Sequence, residues 1–290
     1  MNFKSLIYRA LNGVFFETDL VVLKVDGGIS SQIIFYALGY ELVVRGYNVK
    51  YDLSWFQTDG LDGSGSHVRN FDFLKAFPNF EFSEASKQEI IFCKSLQNHK
   101  SGDPLNLQPP VYINGYFQSR WDCFKKHRKI FEQYFQPPKK YFTKNDLDIL
   151  EDFQKSKLSC GVHVRRGDLS NYNRHYGSPL ETGYFLQAMH HIHEMNPSAK
   201  FYFFSDEPDW VKENILKLLG TKLDFRIVEG NGPDRGFIDL FLLSQCDTIV
   251  SSQGSFGIMA RMLSQDPEKL IFMPSSKPKI YCDDDNIYYI

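Results

Sequence analysis

The feature that most constrains this chain is an alternation of strand-length and helix-length segments, read twice along its 290 residues. In the second half, Cys160–Val164, Lys200–Phe204, Phe225–Val228, Thr248–Val250 and Leu270–Phe272 read as strands. Helical stretches fall between them at Tyr184–Met195, Pro208–Leu219, around Phe237–Gln245 and around Phe256–Leu263, with Pro208 placed where a first helical turn tolerates proline. Strands separated by helices pair in parallel as βαβ units. The first half repeats the theme with strand Leu20–Val25, the turn Asp26-Gly27-Gly28, a helix over 30–45 ended by Gly46, and strand Asn48–Leu53. Ser30 or Ser31 is the expected N-cap, and Ile33, Ile34, Ala37, Leu38, Glu41 and Leu42 trace a mostly apolar face. Residues 58–66 read as loop, residues 111–135 as a short strand and a helix, and the polar stretch from Pro137-Pro138 to Ser159 as a linker. The pattern predicts an α/β chain with two Rossmann-like domains, residues 1–155 and 156–290, facing a central cleft. Ligands are expected at the carboxyl ends of the strands.

Charge and cysteine usage narrow the function. Lys plus Arg number 33 against 35 Asp plus Glu, a net charge of −2. That balance excludes a general nucleic-acid binder, which needs a basic excess to displace counterions, yet it allows a local basic pocket for a phosphorylated small molecule. The five cysteines (Cys93, Cys123, Cys160, Cys246, Cys282) are odd in number and form no CxxC pair, which argues against a disulfide framework and a structural zinc site. A reducing cytoplasm is the expected compartment. Nothing reaches the 18 consecutive apolar residues that suggest a membrane span. Residues 2–16 read as an amphipathic helix, with Phe3, Leu6, Ile7, Ala10, Leu11, Val14 and Phe15 in one stripe. Such a stripe packs on the protein's own core or, as a sharper expectation, makes a peripheral contact with a membrane surface at its inner face.

The chemistry-bearing residues lie just after predicted strands. The densest segment is His163-Val164-Arg165-Arg166-Gly167-Asp168. Side chains alternate along a strand, so Arg165 shares a face with His163 and enters the cleft while Arg166 points away. A guanidinium fork suits phosphate oxygens, and an Arg166–Asp168 ion pair closing the turn is the competing structural use. Ser205-Asp206 opens a helix and either meets a nucleotide's base or ribose or caps that helix before Trp210. Ser251 to Gly257 places hydroxyls and backbone N–H groups at a helix start, an anion cradle. The glycines of Asp26-Gly27-Gly28 let a ligand approach the backbone closely. No GxGxxG fingerprint and no P-loop occurs, which disfavours a nicotinamide dehydrogenase and a Walker-type NTPase. Asp146-Leu147-Asp148 and Asp283-Asp284-Asp285 read as solvated surface, and His190, His191 and His193 point in different directions on one helix, so no metal site is expected.

Taken in order, these segments resemble the family 11 glycosyltransferases, the α-1,2-fucosyltransferases. The matching stretches are Leu23 to Gly28 with Gln32 and Tyr36 to Gly39, Gly115-Tyr116-Phe117-Gln118-Ser119, His163 to Asp168, Phe204-Ser205-Asp206, and Asp239-Leu240 through Cys246 to Ser252. The resemblance implies a GT-B-like fold, GDP-fucose as donor, no metal or other cofactor, and inversion at the fucose anomeric carbon. Transfer to the 2-OH of a galactose residue in an acceptor glycan is expected, and an acceptor in surface-polysaccharide synthesis would fit the amphipathic N-terminus. By the same resemblance Arg165 would hold the diphosphate, with His163 and Arg166 supporting it. Ser205 and Asp206 would meet the nucleoside, Ser252, Ser255 and Phe256 would line the nucleotide site, and Gly27, Gly28 and Gln32 would approach the donor from the other domain. Asp168 is the expected general base, with Asp26 the alternative. The chain departs from the family where Leu-Gly-Asn-Gln is replaced by Ile29-Ser30-Ser31-Gln32, and where Asn-Ser-Ser-Phe-Ser-Trp-Trp is replaced by Ser251 to Gly257. Rival readings are another acceptor or nucleotide sugar, and a non-catalytic relative that binds nucleotide or glycan.

Overall fold

A computed structural model describes residues 18–58, 60–61, 68–171, 177–219, 223–275 and 286–290. The amphipathic stretch 2–16, the triad Asp283 to Asp285, Cys282 and most of the predicted loop 58–66 lie outside the described residues. The chain divides into two compact units, residues 1–60 with 79–127, and residues 61–78 with 128–290.

The first unit carries a parallel sheet ordered β2-β1-β4-β3, with β1 at Leu20–Lys24, β2 at Asn48–Asp52, β3 at Asn98–His99 and β4 at Val111–Ile113. Helix α1 (Ile29–Val44) follows β1. It is buried well beyond one face, so the expected apolar stripe is part of a helix enclosed on most sides. Neither Ser30 nor Ser31 caps it. The N-cap is Gly28 in extended backbone, and the Gln32 side chain ties the helix start down by donating to the Gly27 carbonyl at 3.0 Å. Helix α2 (Lys87–Leu96) opens with a capping box from Ser86 and Glu89. It packs Phe92 and Cys93 against Leu20, Val22 and Tyr112 of the sheet. Helix α3 (Gln118–Tyr134) leaves this unit at His127.

The second unit carries a parallel sheet ordered β10-β9-β8-β5-β6-β7. Its strands are β5 (Leu158–Val164), β6 (Ala199–Ser205), β7 (Asp224–Ile227), β8 (Thr248–Ser251), β9 (Ile271–Met273) and β10 (Ile287–Tyr289). Helix α5 (Thr182–Met195) buries Phe185, Met189 and Ile192 against Phe201 and Phe203, each apolar side chain contributing about 1.5–3 kcal/mol. Helices α6 (Gly236–Gln245) and α7 (Ser255–Met262) flank β8 in sequence. The architecture is thus α/β with two Rossmann-like parallel-sheet units, as expected of a GT-B-like fold.

Further expectations change. The stretch 137–159 is not a linker: it holds helix α4 (Lys144–Lys155), opened by a Thr143–Asp146 capping box and seated on Ile149 and Phe153. The division between units falls at His127/Arg128, inside α3, rather than at 155/156, and residues 61–78 join the second unit. The polar surface of α4 hid its buried stripe. Asp146, expected at the surface, is fully buried; it accepts from Thr143 N at 2.7 Å and from Arg235 Nη2 at 2.5 Å. Asp148 is exposed as expected. Cys93, Cys123, Cys160 and Cys246 are buried free thiols. No helix among the described residues is long and apolar enough to cross a membrane.

Candidate functional site

In the second sheet the chain passes from β5 out to β6 and β7 on one side, then returns to β8 on the other. The crevice beyond β5 and β8 is therefore the switch point where an open α/β sheet receives a ligand. The segment His163 to Asp168 lies there, and so does Ser251 to Gly257. The two turns are stitched together: Ser252 N donates to the His163 carbonyl at 2.9 Å, and Arg165 N donates to Ser252 Oγ at 3.0 Å.

His163 is buried with its ring stacked on Phe256 at 4.9 Å, and its Nδ1 lies 3.2 Å from Ser251 Oγ. That hydroxyl donates to the Ser252 carbonyl, so the imidazole Nδ1 is the donor between them. Burial first, and then the Arg165 charge, push the His163 pKa down to about 3. The ring is neutral and serves to set the end of β5.

Arg165 and Arg166 diverge as strand alternation predicts, but their partners differ from expectation. Arg165 makes the bidentate pair with Asp168, Nε to Oδ1 at 2.9 Å and Nη2 to Oδ2 at 2.5 Å, and Arg69 Nη2 stands 3.6 Å from the same Oδ2. Asp168 does not pair with Arg166, because the helical turn after Gly167 brings it back under Arg165, three residues earlier. Arg166 instead lies over the Trp210 ring at 3.7 Å and donates to the Leu180 carbonyl at 3.2 Å, with Glu207 at 3.4 Å. Two arginines, Arg165 and Arg69, thus crowd the Asp168 carboxylate.

Ser205 and Asp206 brace the same turn. Ser205 Oγ donates to the Val164 carbonyl at 2.9 Å and accepts from Glu207 N at 3.0 Å. The Asp206 carboxylate accepts from Arg166 N at 2.9 Å and Gly167 N at 3.0 Å. Asp206 therefore caps the turn after β5, not the helix before Trp210. Opposite it, α7 begins without a side-chain cap at Gly254, whose φ of 107° and ψ of 177° suit glycine alone. A Cβ at Gly254 would sit 2.4 Å from Arg165 Nη1, so the guanidinium rests directly on this backbone. Half-buried Ser255 and Phe256 open the helix. A guanidinium beside an uncapped helix start has the charge and free N–H groups that an anion can use.

In the first unit, Gly27 (φ 78°), Gly28 and Gln32 meet at the end of β1. The Tyr116 hydroxyl donates to Asp26 Oδ1 across 90 residues. The Tyr116 ring stands edge-on to Phe35, with Arg120 4.4 Å above it. Tyr116 also borders a cavity of about 510 Å³ with Lys100, Asp103, Gln118 and Asp122. Sequence reading missed Arg69 and Tyr184, whose hydroxyl donates to the Ser251 and Phe272 carbonyls at 2.8 and 2.9 Å. No local pattern marks either. Tyr116 lies in the Gly115 to Ser119 stretch, which by itself gives it no role. Among the described residues no group of three or more His, Cys, Asp or Glu side chains could hold a metal ion.

Two parallel-sheet units, each with a polar turn at its switch point, define an α/β protein of Rossmann-like architecture. The chain belongs to glycosyl transferase family 11, whose family model matches residues 66–280. It is similar to an alpha-1,2-colitosyltransferase of Escherichia coli, 26% identical over 82% of this chain and 85% of that protein. A mouse (Mus musculus) galactoside alpha-(1,2)-fucosyltransferase 2 is 33% identical over 36% of this chain and 30% of its own length. Among solved structures, a glycosyl transferase family 9 protein of Veillonella parvula superposes with a TM-score of 0.47 at 10% identity, over 96% of this chain and 88% of that one.

Proposed function

We propose that this chain is an inverting, metal-independent transferase that moves fucose from GDP-fucose to the 2-OH of a galactose residue in an acceptor glycan, in surface-polysaccharide synthesis. The observation that carries the reading is Arg165, held by Asp168 and Gly254 beside the start of α7 at the switch point of the second sheet. As GDP departs, negative charge grows on the β-phosphate and fixed donors stabilise it. Two charge-assisted hydrogen bonds at about 1.5–3 kcal/mol each would speed departure on the order of 10²–10⁴. In this reading Asp168 positions Arg165 rather than serving as base. His163 and Arg166 support the turn, Ser205 and Asp206 fix its edge toward the nucleoside, and Ser252, Ser255 and Phe256 line the nucleotide side. Gly27, Gly28 and Gln32 shape the acceptor unit.

The test is GDP release from GDP-fucose in EDTA, with and without lactose, for wild type and Arg165→Ala. Acceptor-stimulated release that survives EDTA and falls about 10³-fold in the variant is the expected result. Absence of GDP binding by the wild type would sink the reading. A second donor is favoured by the colitosyltransferase match, which spans most of both chains. Faster turnover with GDP-linked colitose than with GDP-fucose would establish it.

A further inference from the structure

The turn after β1 carries a carboxylate that the donor chemistry leaves unused. In the first sheet the chain passes from β1 to β2 on one side and returns through β3 to β4 on the other, so β1 and β4 frame its switch point. Leu23 of β1 lies opposite Ile113 of β4, and the residues that follow these strands, Asp26 and Tyr116, meet across the gap. A buried carboxylate with a purely structural task is enclosed and saturated, as Asp146 is by Thr143 and Arg235. Asp26 is built differently. Oδ1 accepts the single Tyr116 hydroxyl, Oδ2 stands 3.5 Å from Lys24 Nζ, and the side chain keeps 14% of its exposure.

The surroundings suit a sugar. A side chain at Gly28, two residues on, would meet no atom within 4 Å, so the backbone beside Asp26 is open. Tyr116 is 67% exposed while its hydroxyl is committed to Asp26, leaving ring face for the C–H surface of a pyranose. The 510 Å³ cavity that Tyr116 borders offers Gln118, Asp122, Asp103 and Lys100 for further hydroxyls.

We infer that Asp26 takes the proton from the acceptor hydroxyl and that Tyr116 positions this carboxylate while presenting its ring to the acceptor sugar. This inference rests on the transfer reading above. In the step, the acceptor oxygen bonds to the anomeric carbon, and the bond from that carbon to the diphosphate breaks with its electron pair leaving on GDP. The acceptor proton ends on Asp26. The charged and titratable groups around Asp26 are Lys24, Tyr112, Tyr116 and, above the Tyr116 ring, Arg120.

The experiment measures kcat, acceptor KM, GDP affinity and thermal midpoint for wild type, Asp26→Asn and Tyr116→Phe. Asp26→Asn is expected to lower kcat by roughly 10²–10⁴ while GDP affinity stays unchanged. Tyr116→Phe, which keeps the ring and loses the hydroxyl on Asp26, is expected to leave acceptor KM and GDP affinity near wild type and to lower kcat by a smaller factor than Asp26→Asn. A merely structural pair would lower the midpoint of both variants and leave kcat in place. Turnover by Asp26→Asn within threefold of wild type would overturn the inference and leave the transferase reading standing. A wild type that binds no GDP would overturn both, and that outcome is visible before any variant is made.

Discussion

After β1 the chain makes Asp26-Gly27-Gly28, and after β5 it makes Arg165-Arg166-Gly167-Asp168; each turn sits at the switch point of its sheet. The second turn is closed. Arg165 and Arg166 have ion-pair partners, Asp206 takes two backbone amides, and Ser252 binds the turn to its neighbour. The first is more open, with one phenol and the Lys24 ammonium on Asp26 and empty space at Gly28. A phosphate seat needs cations fixed in advance, since their value lies in not reorganising as charge develops. A proton acceptor needs approach by a substrate atom, so it is lightly held. The same position in two sheets is thus wired differently, as the two proposed chemistries require.

Three measurements can break or sharpen this contrast. The largest expected effect is acid sensitivity of the closed turn. His163, at about 3 in the folded chain, lies below its ordinary 6.5, so the unfolded chain binds the extra proton between those values. The stability His163 contributes is complete above pH 6.5. It is lost as pH falls toward 3, at up to about 1.4 kcal/mol per pH unit. Urea unfolding of wild type and His163→Gln between pH 7 and pH 4 would show the slope flatten in the variant; parallel slopes would mean that His163 takes up its proton alike in the folded and unfolded chain.

Gly254→Ala comes next. Its backbone conformation costs a non-glycine residue about 1–3 kcal/mol, and the new Cβ would displace Arg165 Nη1. Loss of one charge-assisted contact would weaken GDP binding roughly 10–100-fold, read by calorimetric titration. Unchanged affinity would show that Arg165 does not depend on Gly254. The smallest stability effect belongs to the open turn. Gly28→Ala has ordinary backbone and free space, so its thermal midpoint should register less than about 1 kcal/mol, the cost of alanine at an N-cap. Acceptor KM should still rise. Equal losses of stability at Gly28 and Gly254 would erase the distinction between the turns.

Much of this fold was legible in the residues. Strands β1, β2 and β5 to β9 fall within one or two residues of the expected runs, because apolar strands broken by helical periodicity leave a local signal. The stretch 137–159 failed for the converse reason: α4 carries enough charge to look like linker, and its buried Asp146 depends on Arg235, 89 residues away. The position of Arg165 off the end of β5 was readable from strand alternation, as was the divergence of Arg166. Its pairing with Asp168 was not, since that follows from how the turn after Gly167 coils back.

The sequence by itself determined where strands end and which side chains stand at those ends, because periodicity and turn residues act over a few positions. Only the tertiary structure decided the partners. Tyr116 reaches Asp26 because β4 lies beside β1, and Ser252 holds Arg165 because β8 lies beside β5. Those neighbours are set by the crossing of a parallel sheet, which brings together residues 87 and 90 positions apart that share no local pattern.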